Sequence, residues 1–323
     1  MDRGLSGSPP RLPEGGSAAD YVFLLRPVIL IPVWTFFLLG ARHSGFAGSL
    51  YGAGAAPVVG GLAAMTAVFG AAYIVNQITD READRRSGKL FLLSHGIVPA
   101  AAAGAEAAVL AAGALALSYA LLPRGLVPFL AANLVLGAAY SIEPVRLKRR
   151  PVLDILANAA AIGLLSALGG WAAAGAEISG IGVLAPYPVA VAAVHLSTAL
   201  ADVEGDRASG LMTSGVLAGR RAGMAVSAVL MAGSAAAALY VGNTTALAAA
   251  LFSLPAFAWS LHAIFRGRDT DVLLPAKAST AVYLVAAGAH FPVFIPAVAA
   301  VLVLTRVYYA RRFGIRYPSV GSR

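Results

Sequence analysis

The stretch PVVGGLAAMTAVFGAAYIVNQI at positions 57–78, followed by Thr79 and then Asp80-Arg81-Glu82-Ala83-Asp84, decides how the chain is read. Positions 57–78 carry no charge, and an apolar run of that length crosses a hydrocarbon core of about 30 Å as one helix. Three carboxylates then stand immediately at its end. A second segment, Asp202-Val203-Glu204-Gly205-Asp206, repeats the D-x-E-x-D spelling and also closes an apolar run. Carboxylates near a lipid phase are costly and are seldom retained without a function.

Working outward, further apolar runs fall at 21–39, 99–122, 126–142, 152–174, 181–201, 222–241 and 245–264. The chain is 59% hydrophobic and 12% charged, with a mean hydropathy of +0.77. Soluble domains carry charge at about a quarter of their residues, so the composition predicts an all-α, polytopic transmembrane helical bundle of about nine or ten helices. The count depends on the stretch after Ala276, which reads either as one long helix or as a hairpin broken near His290-Phe291-Pro292.

The charges orient the bundle. Basic residues recur in alternate loops: Arg81, Arg85, Arg86 and Lys89; Arg146, Lys148, Arg149 and Arg150; Arg207, Arg220 and Arg221; Arg266 and Arg268. Loops rich in Lys and Arg stay in the cytoplasm, which predicts that both acidic motifs are cytoplasmic. An even helix count would return the basic residues Arg311, Arg312 and Arg316 to the same side. This distribution explains the net charge of +9 without nucleic acid. The absence of cysteine excludes thiol nucleophiles, disulfides and thiolate metal sites. Residues 1–19, rich in Gly, Ser and Pro, lack the apolar core of a signal peptide and are expected to be a disordered cytoplasmic tail. Residues 20–310 then form a single transmembrane domain and 311–323 a basic C-terminal tail.

Asn76, Asp80 and Asp84 are spaced i, i+4, i+8, which places an amide and two carboxylates on one helical face. Asp202 and Asp206 repeat the i, i+4 pair, and Gly205 between them would loosen the helix end. Hard oxygen ligands in this number suit Mg²⁺, which takes few ligands from protein and the rest from phosphate and water. The order Asn76-x-x-x-Asp80-x-x-x-Asp84 and Asp202-Val203-Glu204-Gly205-Asp206-Arg207 resembles the two aspartate-rich motifs of the UbiA family of intramembrane prenyltransferases. The stretch Tyr140-Ser141-Ile142-Glu143-Pro144-Val145-Arg146-Leu147-Lys148-Arg149-Arg150-Pro151 is similar to that family's basic loop, and Arg26-Pro27 fits the start of its first helix.

The resemblance implies a bundle open sideways to lipid, with Mg²⁺ bridging the aspartates and an isoprenyl diphosphate. The expected activity is transfer of the isoprenyl group to an acceptor small molecule or lipid, with an aromatic acceptor foremost. A terpene cyclase on the same fold and a non-catalytic lipid-binding or transport protein are the alternatives. On this reading Asn76, Asp80, Asp84, Asp202 and Asp206 hold metal, Arg146, Lys148 and Tyr140 contact the diphosphate, and Arg26 faces the cavity. His195 lies seven residues before Asp202, on the same face if the helix is continuous, and would face the acceptor or act as a base. Asp154 and Asn158 are a further i, i+4 pair that lines the cavity or bridges helices. One departure is clear. Where relatives carry Arg-Pro before a small residue and Gly, this chain has Lys89-Leu90-Phe91-Leu92-Leu93-Ser94-His95-Gly96. Lys89 is then the substitute cation, and the acceptor is left open.

Overall fold

The computed structural model describes residues 12–13, 15–52, 54–87, 91–177, 179–208, 210–268, 271–315 and 317. Among them the regular structure is helical throughout. Fourteen α-helices follow in order: α1 (Ala18–Leu24), α2 (Pro27–His43), α3 (Ala56–Ser87), α4 (Phe91–Ser94), α5 (Ala100–Leu121), α6 (Val127–Ser141), α7 (Leu153–Asn158), α8 (Ser166–Ala173), α9 (Pro186–Ala199), α10 (Val203–Ala208), α11 (Ser214–Val241), α12 (Thr244–Phe265), α13 (Leu274–His290) and α14 (Phe294–Phe313). A π-helical segment, Ala159–Leu165, joins α7 to α8.

Seven of these stretches among the described residues are long and apolar enough to cross a membrane, and eight if α1 and α2, bent by 49°, form one broken span. The shorter α6 and α13 complete a bundle of ten segments. The last apolar region is therefore a hairpin, broken at Phe291-Pro292-Val293, because proline disfavours helical geometry in the residue before it. Most of the expected tail, residues 1–11 and 14, lies outside the described residues. Its end is built into the fold: Ser17 caps α1, and its backbone N–H donates to Asp20 Oδ2 at 2.7 Å.

Helix packing in lipid gains little from expelling water, so close backbone approach matters more. A Cβ built on Gly40 of α2 would overlap the Ala167 carbonyl, and one on Gly170 of α8 would overlap the Phe37 carbonyl. The two helices interlock through these glycines. Around them lies a core of Phe37, Leu38, Leu39, Met65, Leu126 and Tyr187, all fully buried. The first and last helices close on each other. Asp20, with 0% exposure, accepts from Tyr308 Oη at 2.6 Å and pairs with Arg312 at 2.8 Å, while Phe23 stacks on Tyr308.

Two expectations are corrected. Arg220 and Arg221 stand on α11, beyond a break at Gly219 (φ 69°, ψ 168°), and not in a loop. Gly205 sits inside α10, where its backbone is helical and loosens nothing.

Candidate active site

Helix α3 runs unbroken through Asn76, Asp80 and Asp84, so the three share one face as the spacing requires. Asn76 Nδ2 donates to Ser141 Oγ at 3.0 Å, tying α3 to the end of α6. After α6 the chain turns sharply. Arg146 takes a left-handed conformation (φ 37°, ψ 60°), uncommon for a residue with a side chain, and a 3₁₀ turn, Leu147–Arg149, follows. This turn delivers both cations to Asp80. Arg146 Nη2 lies 3.1 Å from Oδ1, and Lys148 Nζ lies 2.6 Å from Oδ2. Arg146 also reaches Glu143 at 2.7 Å, so one guanidinium spans two carboxylates. Its Nε is buried and has no partner.

The side chains of Arg146 and Lys148 are only 13% and 12% exposed. Burial pushes the Lys148 ammonium below its ordinary value, although Asp80 pulls the other way. The hydrogen bond from Arg146 holds the Glu143 carboxyl below the usual glutamate value.

The second motif is built differently. Helix α9 ends at Ala199, and Asp202 stands just before the short α10. The expectation that His195 and Asp202 share one helical face is therefore corrected: the helix that carries His195 ends three residues before Asp202. Ser197 Oγ and Thr198 Oγ1 each bond back to a carbonyl three residues earlier, at 2.7 Å, an arrangement that bends and weakens helices. The Asp206 N–H donates to the Asp202 carbonyl at 2.8 Å. Thr213 Oγ1 donates to Asp206 Oδ2 at 2.9 Å while capping α11. Tyr140 lies within electrostatic reach of both Asp80 and Asp206, which brings the two motifs to one end of the bundle.

Among the described residues no three acidic or histidine side chains converge as a ready-made metal cluster. Mg²⁺ does not require one. It is commonly held by one or two carboxylates, with waters and substrate phosphates completing the octahedron. A carboxylate pair on each motif is a donor set of that kind.

The remaining expected residues divide. Asn158 Nδ2 lies 3.3 Å from His195 Nε2 and donates to the Asp154 carbonyl at 2.9 Å; its side chain lies beside Tyr140. Asp154 bridges helices: its carboxylate accepts from Ser214 Oγ, from the Ser214 N–H at 3.0 Å and from the Ile155 N–H at 2.9 Å. Of the two roles open to it, it fills the structural one. Arg26 occupies the left-handed break between α1 and α2, where it neighbours Phe23, Thr305 and Tyr309 and reaches Tyr73 of α3. Lys89 lies outside the described residues. Sequence reasoning passed over Ser141, Thr213, Ser214 and Tyr73. The pair Thr213-Ser214 ahead of an apolar run is a helix-start signal that could have been noticed.

Comparison with known proteins agrees with this architecture. The model of the UbiA prenyltransferase family matches residues 29–278. A digeranylgeranylglyceryl phosphate synthase of Halobacterium salinarum is 36% identical over 226 residues, which is 67% of this chain and 75% of that protein. A lycopene elongase/hydratase of the same organism is 32% identical over 174 residues, 51% of this chain; the match spans 58% of that relative's length. A UbiA homologue from Archaeoglobus fulgidus, solved with GPP and Mg²⁺, superposes with a TM-score of 0.66 at 21% identity, covering 84% of this chain and 99% of that one. With a family model matched from α2 into α13, both acidic motifs in order and the same helical bundle, this chain belongs to the UbiA prenyltransferase family.

Proposed function

We propose that the chain transfers an isoprenyl group from its diphosphate to a membrane-dissolved lipid acceptor and releases pyrophosphate on the cytoplasmic side. The observation that carries this reading is the clasp of Arg146 and Lys148 on Asp80, with Tyr140 within electrostatic reach of both Asp80 and Asp206. Acids and cations side by side are what a metal-neutralised diphosphate needs. Asp80, Asp84, Asp202 and Asp206 would hold Mg²⁺, with Asn76 as a further oxygen ligand or an orienting amide. When bound there, Mg²⁺ supplies Lewis-acid stabilisation of the departing diphosphate.

The protein's own part is electrostatic and steric. Arg146 and Lys148 face the charge that grows on the leaving oxygen as the C1–O bond breaks, and the buried Arg146 Nε is an unspent donor beside them. Preorganised donors of this kind each contribute about 10²–10³-fold. The apolar bundle keeps water from the allylic cation. The alternating basic loops support the cytoplasmic placement. An aromatic acceptor is the first expectation from the family. The names of the two curated relatives point instead to an isoprenoid lipid or polyene, and the departure at 89–96 agrees with a change at the acceptor.

The test is pyrophosphate release by purified protein with geranylgeranyl diphosphate and Mg²⁺, with an EDTA control. Acceptors would be a 1-O-alkylglycerol phosphate, a polyene hydrocarbon and 4-hydroxybenzoate. Release that requires Mg²⁺ and a lipid acceptor is expected. Preference for hydroxybenzoate restores the aromatic reading, and acceptor-free release indicates cyclisation. Folded protein inactive with donors of several chain lengths defeats the proposal.

A further inference from the structure

The seam between α1 and α14 carries a groove of about 530 Å³ on its outer side. Its two walls run antiparallel, since Asp20 meets Arg312 and, further along α1, Phe23 stacks on Tyr308. From α14 it is lined by Leu304, Val307, Tyr308, Arg311 and Arg312, the stripe of one helical face. Composition changes along the groove. Val22 and Phe23 of α1 stand beside Leu304 and Val307 at one end, and Ser17 stands beside the two guanidiniums at the other. From Leu304 to Arg311 the helix rises about 10 Å.

Apolar side chains on the outside of a membrane helix are ordinary. Val22, Leu304 and Val307 are 59%, 61% and 40% exposed, and any acyl chain covers them. The basic end is what sets this groove apart. Arg312 is fixed there: Nε and Nη2 bond the Asp20 carboxylate at 3.1 and 2.8 Å, and Nη2 also reaches the Gly15 carbonyl. Tyr308 Oη donates to the same carboxylate at 2.6 Å. Asp20 is fully buried, so the frame is rigid and its charge cancels that of Arg312. The Arg312 Nη1 group has no partner among the described residues. Arg311 is exposed and has no acidic partner among them. One uncompensated positive charge and a set of fixed N–H donors therefore close one end of an apolar groove. Donors held in place before binding lose little on binding.

A small anion leaves the apolar end unused, and a neutral lipid leaves the cation unused. A phosphate joined to an acyl chain uses both. On the orientation proposed above, this end of α14 faces the cytoplasmic leaflet, where anionic lipids concentrate. We propose that the α1–α14 groove binds one anionic phospholipid, its phosphate on Arg311 and Arg312 and an acyl chain along Val22, Leu304 and Val307. None of these residues belongs to the candidate active site, so the inference stands apart from the prenyl-transfer reading. A lipid bound there ties the first helix to the last and stabilises the folded bundle by mass action.

The experiment titrates the purified chain in detergent with phosphatidylglycerol or phosphatidylcholine of identical acyl chains and reads bound lipid by native mass spectrometry. The first phosphatidylglycerol should bind about fivefold more tightly than phosphatidylcholine, the factor that one interfacial arginine contributes toward an anionic lipid. Arg311→Gln should erase that preference. Val22→Trp, which fills the groove from an exposed position, should remove the first binding step for both lipids. Arg266→Gln takes an equal charge from the same end of the bundle, also at an exposed position, and should leave the preference intact. Equal affinity for the two lipids overturns the proposal, as does a preference that survives Arg311→Gln or falls equally in Arg266→Gln. One-for-one displacement by geranylgeranyl diphosphate overturns it by making the groove a vestibule for the donor. A dimer that Val22→Trp dissociates overturns it by making the groove an interface between copies.

Discussion

Asp154→Ala should be among the most destabilising single substitutions in the chain, because the carboxylate holds two helix starts together. Asp154 is 3% exposed and Ser214 is 4% exposed. Alanine would strand the Ser214 N–H, the Ser214 hydroxyl and the Ile155 N–H. Ser214 Oγ also accepts from the Val152 N–H at 2.6 Å, so the loss reaches the basic loop. Hydrogen bonds to charged groups contribute about 1.5–3 kcal/mol each and do not add fully; removing one partner from a buried network costs about 3–5 kcal/mol. At about 2–4 °C per kcal/mol, the unfolding midpoint in detergent should fall on the order of 6–20 °C. Ser214→Ala should be non-additive with it by about 1–3 kcal/mol in a double-mutant cycle. Below the midpoint, donor KM should stay within about threefold of wild type. An unchanged midpoint with a raised donor KM would show that Asp154 contacts substrate, and would sink the bridging account.

Alanine at Asp80, Asp84, Asp202 or Asp206 should each lower Mg²⁺-dependent pyrophosphate release by about 10²–10³-fold; full activity in any one of them would remove that residue from the metal site. Arg146→Lys should weaken donor binding about tenfold, because a lysine cannot span Asp80 and Glu143 as the planar fork does; donor titration reads this directly. Asp20→Asn leaves Arg312 beside a neutral group at a fully buried position, and should cost about 3 kcal/mol or more, seen as faster proteolysis near α1. Thr213→Val removes both the hydrogen bond to Asp206 and the cap of α11. It should cost about 1 kcal/mol of stability and raise the Mg²⁺ concentration for half-maximal activity, and no change in the Mg²⁺ dependence would free Asp206 from Thr213.

The membrane bundle was legible because hydrophobic length is a local property. The run at 57–78 lies wholly inside α3, and the hairpin near His290-Phe291-Pro292 follows from one proline. The face shared by Asn76, Asp80 and Asp84 was legible for the same reason, since it needs only an unbroken helix. What depends on partners distant in sequence was not. Nothing in the spelling of Asp154 tells that Ser214, sixty residues on, takes its carboxylate. The clasp on Asp80 depends on a left-handed Arg146, a backbone state that arginine's own preferences do not forecast. His195 was misplaced because the helix was assumed to continue to Asp202, when Ser197 and Thr198 turn their hydroxyls back on it.

That last error exposes a difference between the two motifs that their common spelling hides. Asp80 and Asp84 sit on a helix whose register is fixed below them by Gln77, which donates to the Leu24 carbonyl at 2.8 Å and to the Tyr73 carbonyl at 3.1 Å. Their geometry is inherited from a rod that spans the bundle. Asp202 stands just before, and Asp206 within, a helix of six residues, too short to be stable alone. Their placement comes from Thr213 and from the α11 start that Asp154 anchors. The first motif is therefore positioned by its own helix, and the second by a chain of side-chain contacts that ends at Asp154, Asn158 and His195. A defect at Ser214 or Asp154 should thus be felt at Asp206 and at His195 together, while the Asp80 clasp stays in place.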